Sequence, residues 1–245
     1  MKQISALFRS TLFAVAIFIV TPPYAVAALL TFPFPPLLRY RIISGWSWIV
    51  LRLARWLCGI RYRVEGLEKL PAEPSVIFSK HQSAWETLAF QWIFPPQVWV
   101  LKRELLMIPF FGWGLAMTSP VAIDRGSGRR AIKQILQQGT ERLRHGFWIT
   151  VFPEGTRIAP GKRGKYRIGG VLLAAHAKAP LVPVAHNAGE CWPRNGFIKY
   201  PGIITVRVGP ALYPEGSTAE DVLRRAQMWI EGEMRKLNGR ARAAS

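Results

Sequence analysis

Acidic residues are scarce in this chain. Fourteen aspartates and glutamates stand against 33 lysines and arginines, a formal net charge of +19 over 245 residues, so the surface is built to meet an anionic partner. Cysteine is scarcer still. Cys58 and Cys191 are the two present, far apart and without pairing or metal spacing, which argues against a disulfide framework and makes a reducing compartment the simpler setting. The four histidines, His81, His145, His176 and His186, show no zinc-ligand spacing, so no metal site is expected. A serine hydrolase's Gly-x-Ser-x-Gly elbow is missing. Residues 155–162 fail as a phosphate loop, because five residues separate the glycines where four are needed and Arg163 follows the lysine where Ser or Thr should. There are no internal repeats.

Charge is also absent from Ser10 to Leu38, and residues 11–20 are almost wholly aliphatic or aromatic. Crossing hydrocarbon takes about 20 apolar residues. The segment therefore has room for one span, or for a shallow hairpin broken at Pro22-Pro23, but not for two full spans. Arg39, Arg41, Arg52 and Arg55 follow it and place the next domain on the cytoplasmic side. Lys2 and Arg9 argue for that same side, which leaves a re-entrant helix pair open. A cleavable signal ending at Ala25-Val26-Ala27 is the rival, but the apolar sequence continues through Leu29, Leu30 and Phe32. In residues 42–58, Trp46, Trp48 and Trp56 alternate with Arg52 and Arg55, a pattern for a helix lying among lipid headgroups in preference to an ordinary packed one. Half of the residues are apolar and ten are tryptophan. That combination suits an anionic bilayer and membrane lipids as partners, and not nucleic acid.

From residue 60 the pattern alternates strand and helix. Strands are predicted at 61–64, 75–79, 98–102, 121–124, 147–152, 181–185 and 202–208, with helices at 85–94, 128–145 and 169–178 and a closing helix through Val222, Ala226, Ile230 and Leu237. Such alternation implies an α/β fold: a mainly parallel central sheet flanked by helices, with sites at the strands' carboxyl ends. The expected organisation is a membrane-anchoring helical segment over 1–59, a catalytic domain over 60–238 and a basic tail over 239–245, with disorder from residue 235.

His81 closes the second strand, and Glu86 falls in the first turn of the helix that follows. An imidazole is a base near neutral pH, and a carboxylate on its other nitrogen fixes the tautomer and stabilises the imidazolium. Glu86 has a plainer reading as well, since Ser83 followed by Glu86 is a capping box. Downstream stand Lys102-Arg103-Glu104 with Pro109 and Gly112, the hexapeptide Phe152-Pro153-Glu154-Gly155-Thr156-Arg157, and Leu181-Val182-Pro183-Val184. In their order and spacing, over residues 64–208, these stretches resemble the glycerolipid acyltransferase family, most closely its 1-acylglycerol-3-phosphate acyltransferases. One departure is Glu86, where the family carries aspartate.

The resemblance implies transfer of a fatty acyl group from acyl-CoA or acyl-carrier protein to lysophosphatidic acid, forming phosphatidic acid, with no cofactor. It implies that His81 is the base and Glu86 its orienting carboxylate. Lys102, Arg103, Glu154, Gly155, Thr156 and Arg157 would bind substrate, with Arg157 and Lys102 on the phosphate, Gly155 admitting the backbone close to the ligand, and Glu154 aligning Arg157. Backbone N–H groups after His81 are candidates for the oxyanion. Asp124-Arg125 reads as a salt-bridged strand end, and the basic cluster of Lys162, Arg163, Lys165 and Arg167 as a solvated loop or a collar for donor phosphates and headgroups. The alternatives are another lyso-lipid acceptor, such as a lyso-ornithine lipid, and a non-catalytic basic membrane binder. A bacterial inner membrane with the catalytic domain facing the cytoplasm is the expected location.

Overall fold

The computed structural model describes residues 2–243, with side chains over 3–237. Two long helices come first, α1 (Lys2–Leu29) and α2 (Pro36–Cys58). They run antiparallel, fastened by hydrogen bonds from Trp46 Nε1 to Thr21 Oγ1 (3.2 Å) and from Tyr24 to the Ile42 carbonyl near the connecting turn. At the far end Arg9 reaches the Leu57 carbonyl. Pro22 and Pro23 do not break α1, so of the two arrangements the sequence left open, the hairpin broken at this pair is not formed. Proline inside a helix removes a donor and costs about 3 kcal/mol or more, and here the packing of α1 along α2 overrides it. Residues 3–29 of α1 are long and apolar enough to cross a membrane. Phe18 is 78% exposed and Ile19 63%, so the outward face is one that water would not tolerate for long.

The chain then alternates: β1 (Ile60–Glu65), β2 (Val76–Ser79), α3 (Trp85–Ile93), β3 (Gln97–Lys102), α4 (Phe111–Ala116), β4 (Val121–Ile123), α5 (Arg129–Arg144), β5 (Trp148–Val151), α6 (Gly169–Ala177), β6 (Leu181–His186), α7 (Ala188–Cys191), β7 (Gly202–Val208) and α8 (Ala219–Ala243). One seven-stranded sheet results, in the order β1-β7-β6-β2-β5-β3-β4. Neighbours are parallel except β6 and β7. The five strands from β6 to β4 therefore present their carboxyl ends along one edge, while β7 and β1 run the other way.

Strands β2, β5 and β6 are buried throughout, which explains their continuous apolar runs in the sequence. Side chains such as Val76, Phe78 and Ile149 meet α5, α6 and α8 on one face, and Ile77, Trp148 and Val182 meet α2 and α3 on the other. α8 continues to Ala243, so the expected basic tail is helical as far as the structure describes it. Its Arg, Lys, Leu and Ala residues are good helix formers. Ala244 and Ser245 lie outside the described residues.

Gly139 marks where α5 meets α6. A Cβ there would lie 2.6 Å from Leu173 Cδ2, so the contact needs a residue without one, although helix propensity favours alanine by about 1 kcal/mol. We expect Gly139→Ala to destabilise by about 1–3 kcal/mol in chemical denaturation, through overpacking. Adding Leu173→Ala to it should cost less than the two single losses summed, because the residues share one space.

Candidate active site

Three of the parallel strands bring their ends together here. β2 delivers Lys80 and His81, β5 delivers the Phe152 to Arg157 turn, and β6 delivers His186. Beyond β2 the chain must turn into α3, and the buried N–H groups of that turn need acceptors. Glu86 supplies one. Its Oε1 accepts from the N–H of Gln82 and of Ser83, each at 2.8 Å, and lies 2.8 Å from His81 Nδ1. A single oxygen thus orients the base and reaches back to the Ser83 N–H, while the helix's cap position is Ala84, with no side-chain cap bond, so Ser83 does not complete the capping box. The extra methylene of glutamate does not prevent the contact with the imidazole.

Glu86 is completely buried. Burial opposes its charge, but the neighbouring His186, the His81 ring and the Ser83 N–H outweigh it and hold the carboxyl below its ordinary value. An ionised Glu86 requires the hydrogen on His81 Nδ1, which directs Nε2 away from the carboxylate. The Phe152 ring stacks on the imidazole with centroids 4.0 Å apart, fixing its plane. His186 is buried and lies below its ordinary pKa because of that burial, against the pull of Glu86. Its Nε2 donates to the Lys80 carbonyl at 2.8 Å and its Nδ1 accepts from the Ala188 N–H at 3.3 Å. Both of its ring nitrogens are thus hydrogen-bonded.

A second buried carboxylate lies beneath the base. Glu154 Oε1 accepts from Lys80 Nζ at 2.6 Å and from the Gly164 N–H at 3.2 Å, and Oε2 accepts from the His81 N–H at 3.1 Å. Lys80 also reaches Glu231 of α8 at 3.0 Å, which in turn accepts from the Tyr166 hydroxyl. Glu154 is therefore an anchor for the base's own backbone and not the partner of Arg157 that the sequence suggested. The proposed oxyanion donors are corrected likewise. The N–H groups of His81, Gln82 and Ser83 all end on Glu154 or Glu86, leaving none of them for a substrate.

A cavity of about 220 Å³ opens on His81. Arg125 and Arg157 line it beside the imidazole, while Thr21, Tyr24, Ala25, Ala28 and Trp46 from the helix pair and Leu88, Leu105 and Phe111 give it an apolar wall. Arg157 has no carboxylate partner among the described residues. Gly155 takes a φ of +67°, the left-handed turn that brings Arg157 round, and glycine adopts it without strain. Thr156 is exposed and does not line the cavity. Lys102 and Arg103 are not brought to it either. Both are exposed, and Lys102 pairs with Glu104 at 3.0 Å.

Arg125 is the residue that sequence reasoning passed over. Asp124 turns away, its carboxylate accepting the Gly126 N–H, and Arg125 hydrogen-bonds the Gly155 carbonyl. The signal was its place at the end of β4, on the same edge as His81. Lys80, Tyr166, His186 and Glu231 left no signal, because only tertiary packing makes their contacts.

The direction of the His186 shift gives a test. An unfolded chain takes up the proton near pH 6.5, whereas the folded chain takes it only at lower pH, so acidification below about 6.5 favours the unfolded state. We expect the denaturation midpoint to fall between pH 7 and pH 5.5, and His186→Gln to flatten that slope. An unchanged slope in the variant would show that other groups carry it.

Comparison with known proteins gives a consistent picture. A 1-acyl-sn-glycerol-3-phosphate acyltransferase of Pseudomonas aeruginosa is 47% identical over 204 residues, covering 82% of this chain and 79% of that protein. The human protein named 1-acyl-sn-glycerol-3-phosphate acyltransferase alpha is 31% identical over 179 residues, 71% of this chain and 62% of its own length. In fold, the crystal structure of the 1-acyl-sn-glycerophosphate acyltransferase PlsC from Thermotoga maritima matches with a TM-score of 0.79, at 20% identity, over 97% of this chain and 98% of that one. The sequence pattern of the family described as Acyltransferase covers residues 61–187, which run from β1 past β6 and include both His81 and the Arg157 turn, and with these similarities the chain belongs to that acyltransferase family.

Proposed function

We propose that this chain moves a fatty acyl group from a thioester donor, acyl-CoA or acyl-carrier protein, to the sn-2 hydroxyl of lysophosphatidic acid, giving phosphatidic acid. The observation that carries the reading is the junction in the first cavity, where an imidazole oriented by a buried carboxylate stands beside Arg125 and Arg157 at the end of an apolar channel. A lysophospholipid with a phosphate has the same three parts: a hydroxyl to deprotonate, a phosphate to grip and a chain to bury. The relatives named above, which act on 1-acylglycerol 3-phosphate by their names, support the same acceptor.

His81 Nε2 takes the hydroxyl proton as the oxygen attacks the thioester carbon. The C–S bond breaks on collapse, and the imidazolium returns the proton to the departing sulfur, so ester and thiol are formed and the base is restored. The donor is already activated, so no serine or cysteine nucleophile and no cofactor is needed. Glu86 stabilises the imidazolium formed in between. Arg157 and Arg125 hold the phosphate, for which a guanidinium offers paired donors.

The apolar face of α1 supports a membrane as the setting for this chemistry. Arg39 and Arg41 lie near the turn of the helix pair and Arg9 at the opposite end, so neither end can sit deep in hydrocarbon without a charge following it. A pair lying along the catalytic domain, with the apolar face of α1 in one leaflet, fits better than a span. The domain then faces the cytoplasm, at the inner membrane in a bacterium.

Transfer from labelled acyl-CoA and from acyl-carrier protein to lysophosphatidic acid tests the reaction. We expect His81→Ala to lower kcat by about 10²–10⁴-fold, and Arg157→Ala to raise the acceptor KM by about tenfold or more. Full turnover in His81→Ala would end this reading. For the membrane, replacing Phe18 and Ile19 together by lysine should release the protein from sedimenting anionic vesicles, and undiminished sedimentation would move the contact elsewhere.

A further inference from the structure

A second cavity, of about 260 Å³, is lined in part by Phe152, the ring that stacks on the base. It is set between the ends of β4 and β5 and the first turns of α5 and α6. Its floor is apolar, made by Ile123, Ala131, Ile135 and Val151, and its mouth lies at exposed Gly128, followed in sequence by exposed Arg129 and Arg130. None of its lining residues comes from the helix pair or from α4. It adjoins the first cavity, since Val100, Arg125 and Phe152 line both.

Arg125 and Arg167 both line the second cavity, each against Gly155. Arg125 hydrogen-bonds the Gly155 carbonyl, and Arg167 Nε lies 3.2 Å from where a Cβ on Gly155 would stand. Burial, and then the charge of Arg167, lower the pKa of Arg125, while the opposing acid is exposed Glu104, already engaged with Lys102. Arg167 pairs with no carboxylate among the described residues. Like charges held together in this way gain most from negative charge beside them, such as that developing on a carbonyl oxygen under attack.

Direct attack on a thioester requires both substrates at the base at once. The first cavity is walled by membrane-facing helices and suits a chain arriving from lipid. The second opens away from them beneath a basic rim, and suits a water-soluble molecule that combines a narrow, weakly polar body with phosphate. We propose that the second cavity receives the phosphopantetheine arm of the acyl donor, the element that coenzyme A and a carrier protein share. The arm lies over the Ile123–Ile135 floor, the rim at Arg129 and Arg130 holds its phosphate, and its thioester end reaches the partition at Arg125, Arg167 and Phe152. This assignment rests on the acyl-transfer reading above.

The test uses the full chain in detergent with Ile132→Trp, which fills the mouth, and Arg167→Gln, which removes the guanidinium beside Arg125. Kinetics are measured with acyl-CoA and with acyl-carrier protein, and binding of coenzyme A and of 4′-phosphopantetheine is followed by calorimetry. We expect Ile132→Trp to raise the donor KM and weaken 4′-phosphopantetheine binding by about tenfold, with Arg167→Gln acting in the same direction and the lysophosphatidic acid KM staying within about twofold. With both donors used, a rise in KM for one of them alone would overturn recognition of the shared arm. Should Ile132→Trp fail to fold, Arg167→Gln decides. Normal donor KM and binding in the folded variants, or a rise confined to the acceptor KM, would overturn the site while leaving the reaction intact. Absence of transfer by the wild type would instead overturn the reaction, and 4′-phosphopantetheine binding sensitive to Ile132→Trp would still support the site.

Discussion

The ion pair between Lys80 and Glu154 holds the active site to the fold. Its two groups are 1% and 0% exposed and 2.6 Å apart, joining the end of β2 to the turn after β5. Burying charges is expensive, and removing one partner of such a pair costs about 3–5 kcal/mol because the other is left uncompensated. The expense has a geometric return. Glu154 also holds the N–H of His81, and Lys80 also holds Glu231, so the backbone that carries the base is located by β5 and by the last helix together.

Around that pair the charges separate by depth. The carboxylates that matter, Glu86 and Glu154, are wholly buried and turned toward backbone N–H groups, imidazole or ammonium. The arginines near the base, Arg125 and Arg157, reach the cavity, where a substrate meets them first. A surplus of positive charge is thus presented outward while the negative charges remain beneath the base. An incoming anion is attracted over the whole approach and is not repelled by acids at the site itself.

Much of this was legible in the sequence, for identifiable reasons. The strand ends were readable because a strand buried on both faces is a short unbroken apolar run, as in residues 148–151 and 181–186. The pair of His81 and Glu86 was readable because its contact is local, spanning one turn. Long-range contacts left no such trace. Lys80 and Glu231 lie 151 positions apart, and nothing in either neighbourhood marks them as partners. Arg125 was misjudged because Asp124 beside it offered a cheaper explanation, and Lys102 because a basic pair after a strand looks the same whether it faces a ligand or water. Pro22 and Pro23 left the choice open in the opposite sense: local rules would end there a helix that α2 holds together.

An active-site wall made by an apolar helix changes how the acceptor is counted. Thr21, Ala25 and Ala28 of α1 border the same channel as His81, so on the proposed reading a lipid slides in from the leaflet and its product slides back. The variable that sets turnover is then the mole fraction of acceptor in the surface around the protein. Bulk molarity loses its meaning for that substrate: diluting it with other lipid slows the reaction, and diluting the whole suspension with buffer does not.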